Sequence, residues 1–364
     1  FHFTFVFHFF TSLSHILFYS DLCFIFMFFL LFFASPPLFA QATFKVMTYN
    51  VENFFDTRDN PTKNDDEFLP SGNRYWTQSR YYHKLQQIAK VISAAGEWST
   101  PALIALCEVE NDSVLSHLTR RTPLRWQDYR YIITQSPDPR GINVALLYQR
   151  DQFFYLRHES IPIRFSGNKH KLTRDILHVY GKIITGDTLD VFVCHLPSQS
   201  GGGSSHFYRR YAARRLREYI DSVITVRRIP RVMVLGDFNE EERGPILSRE
   251  LGVRVPDSKE EMKDPKSLYL ISGQLRARSG ARGTYKFQGE WLQLDHVIVS
   301  GALLQPSCRF YCEPSSCKIA VFPFLVRPDE TRGGVRPWRT WQGPYYAGGT
   351  SDHLPLFVDF YLRD

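Results

Sequence analysis

The stretch RVMVLGDFN, residues 231–239, decides how the rest of the chain is interpreted. Its four consecutive apolar residues predict a short buried strand, and the glycine that follows lets the backbone turn sharply. Asp237 and Asn239 then lie two positions apart just beyond the strand, where their oxygen atoms can reach one phosphate group or one hard cation. An Asx turn closing an ordinary strand uses the same residues, so this stretch alone leaves both interpretations open.

Five further apolar segments carry a polar side chain at one end. Any one of them is compatible with an ordinary strand end, whereas six such ends in one chain predict a single convergent polar site. Three of them end in the polar residue: Lys45–Asn50, Leu103–Glu108 and Val191–His195. The other two follow it: Trp291–His296 leads into the run Val297–Val299, and Ser351–His353 opens the strand Leu354–Val358.

At these residues the chain resembles the DNase-I-like endonuclease/exonuclease/phosphatase superfamily. The motifs follow the family's order across roughly residues 44 to 362, and the ordered set is far more specific than any single motif. The resemblance implies an α/β (α+β) fold, a four-layer α/β/β/α sandwich of two mostly antiparallel sheets packed face to face with helices outside. The matching motifs are TYNVEN at 48–53, CEVEN at 107–111, CHLPS at 194–198, GDFN at 236–239, LDH at 294–296 and SDHLP at 351–355.

The resemblance also implies a divalent cofactor, Mg²⁺ or Mn²⁺. Glu108 is the strongest candidate ligand, because a carboxylate at a strand end binds Mg²⁺ well when waters fill the other positions. Asn50 and Asp352 resemble its usual companions in the family. Glu52, one pleat further along the first strand, is a further candidate ligand.

Five residues are candidates for the chemistry itself. His353 and Asp295 resemble the family's histidine–carboxylate pair, in which the carboxylate fixes the tautomer of the ring and stabilises its protonated form. Whether His353 acts as a base or only binds phosphate does not follow from the sequence. Asp237 is positioned to orient or deprotonate a water, and Asn239 to donate its amide to phosphate. A histidine at His195 resembles DNase-like and sphingomyelinase-like members, and argues against an abasic-site repair enzyme.

Candidate substrate contacts come from basic and amide side chains. Arg174 matches a family position where arginine meets phosphate, with a surface salt bridge as the alternative. Arg140 and Asn143 lie near the family's substrate-binding loop and are the other phosphate-binding candidates. A predicted helix carries an arginine face over Arg209–Arg217, which fits either a nucleic-acid backbone or a solvated surface. The role of His296, beside Asp295, is left open.

The first 42 residues differ from the rest. They contain no lysine or arginine, one acid and 14 of the 30 phenylalanines. An apolar run over 24–34 and the A-x-A site at 40–42 indicate a secretory signal peptide. Upstream sequence with a start at Met27, or an uncleaved membrane anchor, are the alternatives. We therefore predict that residues 43–364 form one domain that is exported, to the periplasm or outside the cell.

Charge and cysteine content add weaker constraints. Without Asp21 of the N-terminal segment, 36 acidic residues face 44 basic ones, an excess that suits a polyanionic partner such as nucleic acid. Cys107 and Cys194 are expected to be buried thiols. Two of Cys308, Cys312 and Cys317 are candidates for a disulfide in an exported protein, with a zinc site as the lesser alternative.

The sequence therefore predicts a divalent-metal-dependent phosphodiester hydrolase, an exported DNase-like endonuclease that acts as a monomer on nucleic acid. No protein partner is inferred. The first alternative is a phosphatase or phospholipase, of the sphingomyelinase or inositol-phosphate type, which would use the same centre. The second alternative, from a different class, is a binding module that keeps the fold without the chemistry.

Overall fold

A computed structural model describes residues 43–96, 100–165, 171–199, 203–256, 264–273, 275, 277 and 280–363. The expectations for residues 1–42 lie outside these ranges. Within them, no helix combines the length and the hydrophobicity that crossing a bilayer requires.

Nineteen strands and three α-helices are described, together with several short helical segments. The helices are α1 (Gln78–Ala95), α2 (Asp112–Arg120) and α3 (Gly203–Val226). The strands are β1 (Thr43–Phe54), β2 (Leu103–Val109), β3 (Tyr129–Ile133), β4 (Asn143–Gln149), β5 (Phe153–Ile161), β6 (Ile176–Ile183), β7 (Thr188–His195), β8 (Val232–Asp237), β9 (Leu268–Leu270), β10 (Tyr285–Phe287), β11 (Glu290–Leu292), β12 (Asp295–Ser300), β13 (Phe310–Cys312), β14 (Lys318–Ile319), β15 (Val326–Pro328), β16 (Val335–Pro337), β17 (Trp341–Gln342), β18 (Tyr345–Tyr346) and β19 (Leu356–Leu362). The short helical segments are Asp66–Phe68, Pro123–Gln127, Ile246–Glu250, Gly301–Leu304, Pro314–Ser316 and Pro323–Leu325.

The strands form two large sheets. The first has the order β13-β19-β1-β2-β4-β3, with β14 also paired to β19, and the second has the order β5-β6-β7-β8-β12-β9. Each sheet contains one parallel pair, β1 with β2 and β7 with β8, and its other pairs are antiparallel. Three two-stranded ribbons lie outside them: β10–β11, β15–β16 and β17–β18. The predicted mostly antiparallel sheets are confirmed.

The sheets pack face to face, with helices against their outer faces. Strands β7, β8 and β12 are buried along nearly their whole length, because the other sheet covers one face and α3 the other. This double coverage explains why the sequence shows continuous apolar runs there rather than alternation. Helices α1 and α2 cover the first sheet in the same way. The predicted four-layer sandwich is confirmed.

Helix α1 is amphipathic and packs its apolar face against the core. Its inner face carries apolar residues at helical spacing, including Tyr81, Leu85, Ile88 and Ile92, all of them buried. The Thr77 side chain caps the first turn, and a glycine follows the last residue.

The cysteines are reduced in the described part of the chain. Cys107 and Cys194 are buried thiols as predicted, with the Cys107 Sγ 3.4 Å from the Cys194 carbonyl oxygen across the two sheets. Cys308, Cys312 and Cys317 are also free thiols.

A buried charge network ties α3 to the second sheet. The Asp190 carboxylate in β7 accepts two hydrogen bonds from Arg227, of 2.7 and 3.0 Å, and lies 2.8 Å from His178 Nε2. Burial alone would raise the pKa of the Asp190 carboxyl, but these partners lower it below its ordinary value. The charged form of Asp190 is therefore favoured in the folded protein.

Asp190→Asn is expected to lower the free energy of unfolding by about 3 kcal/mol near pH 7, because it leaves Arg227 beside a buried group without charge. The pKa of Asp190 is lower in the folded protein than in the unfolded chain, where it is about 3.9. Ionised Asp190 therefore stabilises the fold at pH values above about 3.9, and this stabilisation is lost as the pH falls through the lower folded-state pKa. The deficit should therefore shrink toward pH 3 in urea denaturation. The control is Glu218, which forms an exposed ion pair with Arg215 at 3.0 Å. Glu218→Gln should lower the free energy of unfolding by less than about 0.5 kcal/mol. A deficit independent of pH would contradict this account.

Gly236 is required by its surroundings. It lies inside the second sheet at φ +134°, and a Cβ built there would stand 1.9 Å from the Cys194 carbonyl oxygen. Gly236→Ala is expected to lower the free energy of unfolding by about 2–3 kcal/mol, measured by denaturation. Gly186, at φ +85° with no atom within 4 Å of such a Cβ, is the matched control and should cost about 1 kcal/mol. Equal losses at the two positions would contradict the steric argument.

Candidate active site

Strand register brings three predicted site residues into one row of the second sheet. The parallel pairing of β7 with β8 sets His195 beside Asp237, and the antiparallel pairing of β8 with β12 sets Asp237 beside Asp295. The His195 Nε2 lies 3.6 Å from the Asp237 Oδ2. Three strand ends that are far apart in sequence thus deliver one imidazole and two carboxylates to the same edge.

The first sheet contributes from the opposite side. Asn50 in β1 donates from its Nδ2 to the Asp237 Oδ2 over 3.0 Å, so a hydrogen bond joins the two sheets at the centre of the cluster. Glu108 in β2 lies close by, with its Oε1 3.9 Å from the His195 Nε2. The other oxygen of Glu108 accepts the Asn53 backbone N–H over 2.8 Å.

The loop before β19 completes the cluster. The His353 Nδ1 lies 2.7 Å from the Asp295 Oδ2, as the resemblance implies. The Ser351 hydroxyl accepts the His353 backbone N–H over 3.0 Å and donates to the Asn50 carbonyl oxygen over 2.6 Å. The His353 Nε2 is left facing Asp237 at 3.9 Å and Asp352 at 4.0 Å.

Burial and charge set the protonation of this cluster. Burial, followed by repulsion from the neighbouring Asp295, raises the pKa of Asp237 to about 7, against the opposing effect of His353, the Asn239 backbone N–H and Asn50. Burial alone would lower the pKa of His353, but the carboxylates around it raise the value well above the ordinary one. The geometry therefore favours an imidazolium at His353 beside a proton-accepting carboxylate at Asp237.

His195 has the opposite tendency. Burial lowers its pKa well below the ordinary value, and the nearby Arg174 and Arg140 lower it further. Its Nδ1 is buried without a hydrogen-bond partner among the described residues. A neutral imidazole with one uncommitted nitrogen therefore faces the cluster.

The residues present fit a hard divalent cation. The carboxylates of Glu108 and Asp352 are partly exposed, and the basic side chains described beside them, His195, Arg339 and His353, lie at 3.9 Å or more. The Asp295 Oδ1 is buried without a hydrogen-bond partner in the described part of the chain. Asp237, Asp295 and His353 also offer ligand atoms within 4.8 Å of one another. This donor set is the oxygen-rich kind that suits Mg²⁺ and Mn²⁺.

The backbone is strained around the cluster. Glu52, Asn53, Glu108 and Asn239 have φ values of 49°, 52°, 64° and 49°, in the left-handed region that side chains with a Cβ rarely adopt. Such conformations cost free energy and persist where the surrounding structure holds them, as at functional sites.

The structure gives Glu52 a different role from the predicted one. Its two carboxylate oxygens accept the backbone N–H groups of Thr340 and Trp341, over 2.6 and 3.1 Å. Its backbone carbonyl oxygen accepts the Lys84 Nζ over 2.5 Å. Burial, followed by repulsion from Asp352, raises the pKa of Glu52 to about 8. Glu52 thus braces the wall of the site, and we withdraw it from the candidate ligands.

Two predicted amide contacts are occupied inside the protein. The Asn143 side chain donates to the Glu110 carbonyl oxygen over 2.7 Å and accepts the Ser136 N–H over 2.7 Å. It holds a loop together and is not placed to grip phosphate. Asn239 donates to the Leu196 carbonyl oxygen over 3.1 Å, so part of its amide anchors the end of β7.

The two predicted arginines differ in their commitments. Arg174 is buried, donates to the Leu196 carbonyl oxygen over 2.8 Å and pairs with Asp138 at 3.2 Å. In this structure Arg174 therefore forms an internal ion pair, its Nε has no hydrogen-bond partner among the described residues, and its contact with phosphate stays a prediction. Arg140 is exposed at the rim and donates to the Asn53 Oδ1.

The arginine face of α3 is largely neutralised. Arg209 is buried, against the prediction of an outward position, and pairs with Glu240 at 3.2 Å. Arg210 and Arg214 both pair with Glu250, at 2.7 and 2.5 Å. Most of the remaining charge on this face is likewise shared with acids on α3. The helix therefore presents no free basic stripe.

His296 is a structural residue. It is fully buried, with its Nδ1 3.0 Å from the Ser272 Oγ and its Nε2 2.9 Å from the Glu240 carbonyl oxygen. Successive side chains of a strand point to opposite faces, so His296 faces away from the side that Asp295 serves.

Sequence reasoning missed three neighbours of the site. Arg339 lies 3.9 Å from Asp352, the Tyr285 ring lies against the His353 ring with centroids 4.9 Å apart, and Lys84 supports Glu52 from behind. Arg339 belongs to a segment of short ribbons without a periodic pattern, and Lys84 lies inside a helix like any solvated lysine. The sequence contains no signal for either contact.

Comparisons with known proteins agree with this geometry. The sequence model of the Endonuclease/Exonuclease/phosphatase family matches residues 45–362. No curated protein matches the chain.

Solved structures with low sequence identity share the fold. An endonuclease/exonuclease/phosphatase family protein from Bacteroides thetaiotaomicron has a TM-score of 0.57 and 16% identity, over 89% of this chain and 99% of that chain. The mannosyl-6-phosphatase of the same organism has a TM-score of 0.55 and 16% identity, over 88% and 100%. D. rerio TDP2 complexed with single strand DNA product has a TM-score of 0.52 and 14% identity, over 88% and 99%. The family-model match over residues 45–362 shows that the protein belongs to the endonuclease/exonuclease/phosphatase family, whose members hydrolyse phosphoester bonds.

Proposed function

We propose that the protein is a divalent-metal-dependent phosphodiesterase that cleaves nucleic acid, as an exported DNase-like endonuclease. The observation that carries the proposal is the buried Asp237, held by Asn50 and flanked by His195 and His353. One carboxylate with two imidazoles of opposite protonation can accept a proton from water and stabilise charge on a phosphoryl group.

Asp237 is the residue that we assign to the attacking water. Its raised pKa leaves the carboxylate basic enough to take the proton as the water oxygen bonds to phosphorus. The accepted hydrogen bond from Asn50 fixes the direction of the receiving carboxylate. Asn239 donates its backbone N–H to the other oxygen of Asp237 over 2.8 Å, which limits rotation.

His353 is assigned to the phosphoryl oxygens or to the departing oxygen. With its Nδ1 held by Asp295, the imidazolium presents an N–H at Nε2 to the cluster. It donates a charge-assisted hydrogen bond there, and proton transfer from this atom to the departing oxygen would accompany cleavage of the phosphorus–oxygen bond. The neutral His195 offers a second contact to the same group.

Glu108, with Asn50 and Asp352, would hold the metal ion. When bound, a divalent cation supplies charge neutralisation at the phosphoryl oxygens. The uncompensated carboxylates of Glu108 and Asp352 support this assignment.

A small or lipid phosphoester is the second candidate substrate. The observation in its favour is the ion-paired face of α3, where Arg210 and Arg214 share Glu250 instead of forming a basic groove. The fold neighbours include both a mannosyl-6-phosphatase and a TDP2 bound to a single strand DNA product, so the fold suits either class. We favour nucleic acid because His195 resembles DNase-like members and exposed Arg140 lies at the rim.

Asp237→Asn and His353→Gln are each expected to lower kcat by about 10²–10⁴-fold, because each removes a proton-transferring or charge-stabilising group. Turnover of bis(p-nitrophenyl) phosphate with saturating Mg²⁺ measures kcat, and thermal unfolding shows that each variant is folded. The control is His296→Asn, a buried histidine outside the cluster, which should lose stability while kcat per folded molecule changes less than about twofold. Near-normal kcat in either site variant would remove that residue from the mechanism.

Activity should depend on a divalent cation and should be greatest on nucleic acid. Plasmid DNA, RNA, sphingomyelin and inositol phosphates, each incubated with Mg²⁺, Mn²⁺ or excess EDTA, form the test panel. We expect plasmid nicking with either metal and none with EDTA, because the ligand set consists of hard oxygen atoms. Full turnover in EDTA would refute metal dependence, and turnover confined to the lipid or the inositol phosphates would establish the second candidate.

A further inference from the structure

Arg339 lies at the edge of the site that Asp352 borders. Its Nη2 is 3.9 Å from the Asp352 Oδ2, and its guanidinium lies 5.8 Å from the centroid of the Tyr285 ring. The Tyr285 ring in turn contacts His353. About a quarter of the Arg339 side chain, 28%, is exposed to solvent.

The backbone that carries Arg339 is fixed on both sides. The Arg339 carbonyl oxygen accepts the Gly349 N–H over 3.1 Å. The next two N–H groups, of Thr340 and Trp341, both donate to the Glu52 carboxylate. A side chain on such a segment is held in position before any ligand arrives.

A buried lysine secures this segment to the first sheet. Lys84 reaches inward from α1, and its Nζ donates to the Glu52 carbonyl oxygen over 2.5 Å, the Thr340 Oγ1 over 2.5 Å and the Thr350 carbonyl oxygen over 3.2 Å. Lysine is rarely buried unless paired, because desolvating its charge costs free energy. Lys84, Glu52 and Thr340 thus form a buried clamp directly behind Arg339.

The Arg339 guanidinium, in contrast to its backbone, has no close ion pair among the described residues. Its described ion pair is long, at 3.9 Å, whereas Arg174 beside His195 pairs at 3.2 Å and is buried. A guanidinium binds phosphate through two parallel hydrogen bonds and keeps its charge at all relevant pH values. Arg339 therefore offers a cation on a fixed segment next to the predicted metal edge, and its described polar partners are the Tyr285 hydroxyl and, at 3.9 Å, Asp352.

We propose that Arg339 forms a subsite for a second phosphate group of the substrate, adjacent to the phosphate that is cleaved. In a polynucleotide this group is the neighbouring phosphodiester. That the substrate is a polynucleotide rests on the proposed function. Arg339 is then a specificity-determining residue, which contacts the substrate but takes no part in proton transfer.

Binding of fluorescein-labelled tetrathymidylate, followed by fluorescence anisotropy with Ca²⁺ as the divalent cation, tests the subsite. Arg339→Gln should raise Kd about tenfold, because one charge-assisted phosphate contact is lost. The slope of log K against log salt should fall by about 0.7, the value for one single-strand phosphate contact. Arg339→Lys should give a smaller rise in Kd.

The matched control is Arg332→Gln, an exposed arginine in the loop between β15 and β16, which should leave both Kd and the salt slope unchanged. An unchanged Kd and slope in Arg339→Gln would overturn the subsite, and so would failure of the wild-type protein to bind the oligonucleotide.

Turnover of bis(p-nitrophenyl) phosphate, which carries a single phosphate, separates this inference from the proposed function. Arg339→Gln should lower kcat/KM on this diester by a smaller factor than it weakens oligonucleotide binding, because the diester has no second phosphate to lose and feels only the missing cation beside Asp352. If kcat/KM on the diester falls by the same factor as Kd for the oligonucleotide rises, Arg339 supports the whole site rather than a second phosphate, and the subsite is overturned. Absence of wild-type turnover with Mg²⁺ and with Mn²⁺ would refute the phosphodiesterase, while the anisotropy measurement would still decide on the subsite.

Discussion

The hydrogen bond from Asn50 to Asp237 is the contact on which the site depends, because it joins the two sheets through residues that are 187 positions apart in the chain. A buried carboxylate needs hydrogen bonds that compensate for its lost hydration. Asp237 receives one from each side, the Asn50 amide from the first sheet and the Asn239 backbone from its own loop. Face-to-face packing therefore sets both the direction of the carboxylate and the distance to the histidines, so the fold and the site are specified by the same contacts.

The same cluster contains buried charges and a strained backbone, both of which lower the free energy of unfolding and are avoided in a purely structural core. Two carboxylates, Asp237 and Asp295, are almost fully buried side by side, and His353 is the cation that lies between them in the described part of the chain. Residues with a strained left-handed backbone surround them, among them Glu108. Each cost is tolerated because the neighbouring sheets are rigid and tightly packed. Backbone strain and closely spaced buried carboxylates in one cluster are typical of functional sites, and they are the features on which the proposed function rests.

The sequence predicted those parts of the fold and site that local patterns encode. Apolar runs ending in Asp237, Glu108 and His195 located strand ends, and the order of the motifs then predicted the sandwich and the cluster. Contacts between distant segments carry no such pattern. The pairing of Glu52 with Thr340 spans 288 residues, so an acid next to a metal-ligand candidate in sequence was assigned to the metal although its oxygens face a loop. Arg209 was predicted to be solvated because its buried partner, Glu240, follows a different strand.

The net charge of the chain is a poor guide to its substrate for the same reason. Most arginines of α3 form ion pairs with acidic residues of the same protein. The formal net charge of +7 therefore does not produce a basic groove on this helix. Selectivity must then come from the few cations at the rim that the protein leaves incompletely paired. Arg140 and Arg339 lie on loops about 200 residues apart in the chain, and the backbone beside Arg339 is held by the Glu52 carboxylate and the buried Lys84. Holding a cation through its backbone leaves its head available to a ligand, which an ion pair would not.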